Sequence, residues 1–172
     1  MRYSRGMKQI IVIAHNLRSA HNVGSLLRTA EGLGIDEVIL SGYTPFPPLT
    51  QDDPRLPHEQ VKVGKLIQKT ALGAESSQNW SRQADIFKVI AGLKQQGYTV
   101  AALEQTEDSV KLPDYHTPEQ LVIILGREVE GIEPEVLEQC DIALEIPMFG
   151  QKESYNVVQA AAMALYHCRF VA

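Results

Sequence analysis

The chain has 172 residues, 44% of them hydrophobic and 22% charged, with a net charge of −5. That suits one domain with a full core over 1–172 and excludes two complete ones, while the longest apolar runs, Gln9 to Ala14 and Leu121 to Leu125, are far too short to cross a bilayer. A soluble protein is expected, and its charge is uneven: residues 1–86 sum to +2 and residues 87–172 to −7, so a surface that faces nucleic acid should draw on the first half.

Met1 to Arg5 is basic, but the short apolar stretch behind it runs into His15-Asn16 and reads as a strand rather than a signal peptide. Ile10 to Ala14 is that strand. Ser19 to Gly34 predicts a helix, because Val23, Leu26, Leu27, Ala30 and Leu33 recur at helical spacing and Gly34 ends it. Val38 to Leu40 is a second strand, followed by a proline-rich excursion, Pro45-Phe46-Pro47-Pro48 with Pro54 and Pro57, which regular structure cannot accommodate. A helix from about Gln60 to Thr70 follows, then an amphipathic helix over Arg82–Gln96 stopped by Gly97. Thr99–Leu103, Leu121–Leu125 and Ala143–Ile146 read as strands, the last leading through Pro147 and Gly150 into a C-terminal helix. Strands separated by helices predict an α/β domain with a parallel sheet covered on both faces. Cys140 and Cys168 show neither disulfide nor metal spacing and read as reduced thiols of a cytoplasmic protein, and no metal is assigned.

Three polar or glycine-rich segments follow strands and should converge, since ligands of open α/β sheets gather at carboxyl ends of strands. They are Asn16-Leu-Arg18-Ser-Ala-His-Asn22-Val-Gly24-Ser-Leu-Leu-Arg28-Thr-Ala30, Leu125-Gly126-Arg127-Glu128-Val129-Glu130-Gly131, and Ile146-Pro-Met148-Phe-Gly150-Gln-Lys-Glu-Ser154-Tyr155-Asn156. A nicotinamide-binding Rossmann domain is not indicated, for want of a G-x-G-x-x-G turn after the first strand.

In this order and spacing the segments resemble the three motifs of the SpoU-type, TrmH-like 2′-O-ribose RNA methyltransferases of the knotted SPOUT superfamily. The resemblance implies a trefoil knot in which the chain after Leu121 threads a loop, S-adenosylmethionine as methyl donor, tRNA or rRNA as substrate, and a homodimer whose catalytic arginine comes from the partner subunit. With its first strand beginning by residue 10, the chain resembles the minimal, single-domain branch. It departs from the pattern at Tyr155, where the family usually has Leu, which puts the shape around the adenine in question. Rival readings are a knotted methyltransferase acting on an RNA base and a catalytically silent RNA-binding module.

Arg28 alone would read as a solvent-facing helix arginine, but its N-x-G-x-x-x-R-T-A setting makes it the catalytic arginine by resemblance. A guanidinium, with a pKa above about 12, suits stabilisation of a developing alkoxide better than proton abstraction. Asn22, Glu128, Ser154 and Asn156 complete the catalytic set, Glu128 by orienting the first segment. Leu125, Gly126, Ile146, Met148, Gly150, Ser154, Tyr155 and Asn156 map onto cofactor-contacting positions. Gly24 would allow close approach of substrate or of a partner helix. For RNA phosphates the candidates are Arg18 and the stripe Lys62, Lys65 and Lys69, spaced i, i+3, i+7 along one helix face. His21 reads as a surface or supporting residue, and Trp80 and Tyr98 as core.

Overall fold

The structure, a computed structural model, describes residues 8–171; the basic segment Met1 to Arg5 lies outside them. Seven strands alternate with helices: β1 (Gln9–His15), α1 (Ala20–Leu33), β2 (Glu37–Ser41), α2 (Pro57–Ala71), α3 (Ala74–Ser77), β3 (Trp80–Gln83), α4 (Ile86–Gln95), β4 (Thr99–Leu103), β5 (Val110–Lys111), β6 (Gln120–Leu125), α5 (Pro134–Leu137), β7 (Ile142–Glu145) and α6 (Val157–Phe170). All strand pairings are parallel, in the order β3-β2-β1-β6-β4-β7-β5. The chain therefore builds outward from β1 to β3, crosses to lay down β4 and β5, and only then inserts β6 between β1 and β4. That makes the β1/β6 boundary the point where chain direction across the sheet reverses, the usual place for a ligand in such sheets.

The alternation of side chains along each strand divides the core in two. Ile10, Val12 and Ala14 of β1 face a layer with Val23, Leu26 and Leu27 of α1, Ile67 of α2 and Ala161, Ala164 and Leu165 of α6. Ile11 and Ile13 face the opposite layer, with Ile86, Ile90 and Leu93 of α4 and Val136 of α5. Both faces being covered explains why the central strands read as unbroken apolar runs.

Helix α1 begins at Ser19, whose side chain accepts from Asn22 N, and ends at Gly34 in the left-handed region, φ 63°. Gly24 is where α1 meets α2: a Cβ there would lie 3.0 Å from Ala71 N and closer still to Ile67 O and the Thr70 hydroxyl. The close approach that this glycine permits is therefore to a neighbouring helix. Helix α2 starts three residues earlier than the hydrophobic spacing indicates, with Pro57 in its first turn and Glu59 Oε2 accepting from Leu56 N at 3.1 Å.

The expected Arg82–Gln96 helix is corrected. Arg82 and Gln83 belong to edge strand β3, in register with Leu40 and Ser41 of β2, and the helix starts at Ile86, after Asp85 caps the Phe87 and Lys88 N–H groups. A half-exposed Trp-Ser-Arg-Gln strand carries no apolar alternation, and the two residues of β5 carry still less. The proline-rich excursion is ordered without being regular. Arg55 grips Asp53 through Nε and Nη2 at 2.9 and 2.6 Å, donates to Phe46 O at 2.8 Å, and lies 3.7 Å above the Phe46 ring centroid.

Candidate active site

The three segments meet at the carboxyl ends of β1, β6 and β7. After β1, Asn16 takes a left-handed backbone, φ 57°, which its side chain sustains: Oδ1 accepts from Tyr43 N at 3.1 Å and Nδ2 donates to Glu133 Oε1 at 2.8 Å. Beyond this turn the N–H groups of Arg18 and Ser19 donate to the Glu128 carboxylate at 3.0 and 3.1 Å. Asn22, one turn into α1, adds a third donor at 3.0 Å through Nδ2. Burial alone would raise the Glu128 pKa, but these donors outweigh it and hold the pKa below its ordinary value. Glu128 is thus a carboxylate at neutral pH and acts as an acceptor that positions the first loop.

The Asn22 amide spends its other end as well. Its Oδ1 accepts from Asn156 Nδ2 at 3.5 Å, while Asn156 Oδ1 accepts from Val158 N at 2.9 Å and caps α6. A single chain of contacts, Glu128 to Asn22 to Asn156, therefore joins all three segments.

Beside it opens a cleft of about 220 Å³. Leu103, Leu125, Leu144, Ile146 and Met148 give it apolar walls; on its polar side Arg18 and Lys111 neutralise Glu130 and Glu145, which leaves Glu104, Glu128 and Glu153 in excess of the lining cation Arg127. Such a field favours a cationic ligand. The floor depends on glycine. A Cβ on Gly126 would come within 2.6 Å of Gly131 C and Ile132 N, and Gly131, at φ 72°, sits against the Glu104 carboxylate. From Met148 to Tyr155 no backbone N–H meets an acceptor among the described residues, which leaves that loop's donors open to a ligand.

Of the expected cofactor contacts, Leu125, Gly126, Ile146, Met148, Ser154 and Tyr155 line the cleft. Gly150 and Asn156 do not: Gly150 has open space around it, and Asn156 serves as the cap. Arg28 is exposed, lies outside the cleft lining, and has no hydrogen-bond or ion-pair partner among the described residues. Lys62, Lys65 and Lys69 are exposed on α2 and equally unpaired. Arg18 is exposed and its guanidinium pairs with Glu130 at 2.7 Å, a surface ion pair that a phosphate would have to displace or share. Trp80 is half-buried, its Nε1 donating to Glu75 O at 3.0 Å.

Two features escaped the sequence. Glu104, directly after β4, accepts from Ile132 N at 3.0 Å and braces the glycine loop from the cleft side; the strand-end rule that found the other segments would have found it. His15 is buried, with Nδ1 2.7 Å from Ser41 Oγ and Nε2 3.0 Å from Asn16 Nδ2. Since Asn16 Nδ2 is a donor, Nε2 accepts and the proton resides on Nδ1. Burial, aided by Arg127 and opposed by Glu133, lowers the His15 pKa. Nothing in the spacing distinguishes this histidine from any other at a strand end.

The profile of the SpoU rRNA Methylase family matches residues 9–166. A Staphylococcus haemolyticus protein named for the TrmH family of tRNA/rRNA methyltransferases is 31% identical over 156 residues, covering 91% of this chain and 56% of its own length. A Staphylococcus aureus protein of the same name is 30% identical over 159 residues, with the same coverage. The chain thus spans little more than half the length of these curated relatives. Among solved structures, an AdoMet-bound rRNA methyltransferase from Sinorhizobium meliloti has a TM-score of 0.78 at 22% identity, over 97% of this chain and 60% of that one. The TrmH/SpoU tRNA modifying enzyme of A. aeolicus has a TM-score of 0.75 at 21% identity, over 94% and 74%. At these identities the shared property is the fold.

Proposed function

The chain belongs to the SpoU rRNA Methylase family, and from that premise we propose that it transfers a methyl group from S-adenosylmethionine to a ribose 2′-hydroxyl of tRNA or rRNA. The observation that carries the reading is the Glu128–Asn22–Asn156 chain, which fixes all three segments beside an acidic, apolar-walled cleft. The residues fit the donor. Leu125, Gly126, Ile146, Met148, Ser154 and Tyr155 would hold it against the open N–H groups of the loop that contains Gly150, and the surrounding carboxylates suit a sulfonium. When bound, the donor supplies an already activated methyl group.

The protein's part is then position and field. Arg28, charged and unpaired, would stabilise the oxyanion that develops as the ribose hydroxyl loses its proton. Its place outside its own cleft supports a shared site in which the partner of a homodimer supplies Arg28. An apolar strip on α6 suits that second copy, since the rings of Tyr166 and Phe170 lie 5.0 Å apart there, tilted to each other, with both residues about half exposed. The late insertion of β6 between β1 and β4 supports the threaded, knotted path of the family, and the two free cysteines suit a cytoplasmic setting.

Calorimetry with S-adenosylmethionine and a nuclease digest of RNA incubated with the protein test the reading. Binding and a 2′-O-methyl nucleotide are expected; a methyl group found on a base refutes the ribose assignment. Arg28→Ala should abolish transfer and leave donor affinity within a few fold. Mixed with Asn156→Ala under subunit exchange, it should regain activity, and a mixed dimer that stays dead refutes the shared site.

A further inference from the structure

The cations of this protein divide into spent and unspent. In the second half of the chain all but Lys152 have a carboxylate within 4.0 Å: Lys88 pairs with Asp85, Lys94 with Asp141, Lys111 with Glu145, Arg127 with Glu133 and Arg169 with Asp36. Lys8, Arg28, Lys62, Lys65, Lys69 and Arg82 have none among the described residues. Apart from Lys8, ahead of β1, and Lys152, in the loop before α6, the unspent charge thus lies on α1, α2 and edge strand β3, within an acidic chain.

Arg82 is the informative member. It shares a transverse row of the sheet with Leu40, Ala14 and Leu125. At about 4.8 Å per strand its backbone is roughly 15 Å from Leu125, which lines the cleft. Its guanidinium is set 4.8 Å over the ring of Phe46, which is itself buried. Arg55 lies over the same ring, but its charge is neutralised by Asp53, whose carboxyl that guanidinium holds far below the ordinary range. The ring therefore orients Arg82 without neutralising it. Phe46 belongs to the same core layer as Ile67 of α2, so this planar, oriented and unpaired guanidinium lies on the face of the sheet that α2 covers, and such a group together with a stripe of lysines is the chemistry that grips phosphate oxygens.

We propose that Arg82 and the exposed face of α2 form a phosphate-binding track that holds the RNA strand flanking the target nucleotide, with Arg82 as its fixed point at the β3 edge. The proposal rests on the RNA-substrate reading above. It adds a binding residue outside the three motifs and gives the flanking strand a direction, from the cleft across β1 and β2 toward β3.

The test measures binding of unfractionated tRNA by fluorescence anisotropy over a series of KCl concentrations. Arg82→Gln should weaken binding and reduce the slope of log K against log salt by about 0.7 to 0.9, the value for one lost phosphate contact. A combined Lys62→Ala, Lys65→Ala, Lys69→Ala variant should reduce it further. Arg82→Lys should keep the slope but lose affinity, because it keeps the charge without the oriented plane. Lys88→Ala and Lys94→Ala, which change net charge equally from the α4 face, should leave the slope as in the wild type. If Arg82→Gln matches the wild type in both affinity and slope, the track is refuted and the face is free for an acidic protein partner. If the Lys88 or Lys94 variants reduce the slope as much, the effect is net charge alone and the track is again refuted. The two readings fail separately, because absence of methyl transfer in the wild type overturns the enzyme while the salt slope still decides the track.

Discussion

Gly24 and Gly32 lie on the same helix, eight positions apart, and the structure assigns opposite signs to the same substitution at the two. At Gly32 a Cβ meets nothing within 4 Å, so Gly32→Ala should gain up to about 1 kcal/mol of helix propensity. At Gly24 the added carbon would press on Ile67 O, the Thr70 hydroxyl and Ala71 N, backbone and a committed side chain rather than a flexible tip. Thr70 Oγ1 donates to His21 O at 2.8 Å and cannot move aside without losing that bond. Overpacking of this kind costs about 1–3 kcal/mol and the lost hydrogen bond roughly 1 more, against a propensity gain of about 1. The two variants should therefore differ by about 2–4 kcal/mol, or roughly 4–16 °C in melting temperature for a chain of this size. Thermal melts at one fixed protein concentration measure it, because any self-association would make the midpoint depend on concentration. Gly24→Ala should also lower methyl transfer, since α1 carries Asn22 and Arg28. A Gly24→Ala protein that melts at or above the wild type would mean that α1 and α2 do not touch there.

Asn22→Asp would turn the donor facing Glu128 into a second carboxylate, so it should destabilise the protein at neutral pH more than Asn22→Ala does and recover as the pH is lowered enough for the pair to share a proton; paired melts across pH check this. His15 has a folded pKa below its ordinary 6.5, so it contributes stability that is present above that pH and lost as the pH falls through the lowered value. Denaturant titrations should show this acid limb in the wild type and a flatter one in His15→Gln. Arg169, its side chain almost fully buried, donates to Lys8 O and Gly34 O at 2.5 and 2.6 Å. Arg169→Ala should cost about 3 kcal/mol in a denaturant titration, and Arg169→Lys should recover little of it for lack of the forked geometry.

The central strands were legible because they are buried on both faces: Ile10–Ala14 and Leu121–Leu125 carry apolar runs that only a covered parallel strand needs. Edge strand β3 was not, since Ser81, Arg82 and Gln83 have little to bury and their polarity merged them with the helix behind. Strand order was illegible in principle from apolar runs, which say that a strand is covered and nothing about its neighbours. In the site, Asn22, Glu128 and Asn156 could be picked out by motif, but not the contacts that join them, because the partners are more than a hundred residues apart. The Arg18 pair with Glu130 was illegible for the same reason, its partner lying 112 residues further on.

Why the site needs its late strand follows from where the donors lie. Glu128 follows β6 and the N–H groups it accepts follow β1, so the contact forms only if β6 lies beside β1 in the register Ala14 with Leu125. Had β6 been added at the outer edge in chain order, Glu128 would lie at least one strand spacing, about 4.8 Å, further away, beyond any hydrogen bond. The Glu104 brace makes the same demand from the other side, because β4 must flank β6 for its carboxylate to reach Ile132 N. Inserting β6 between two strands already laid down is thus the arrangement that lets one glycine loop be gripped from both neighbours. The cleft floor is set by sheet topology before any ligand contributes.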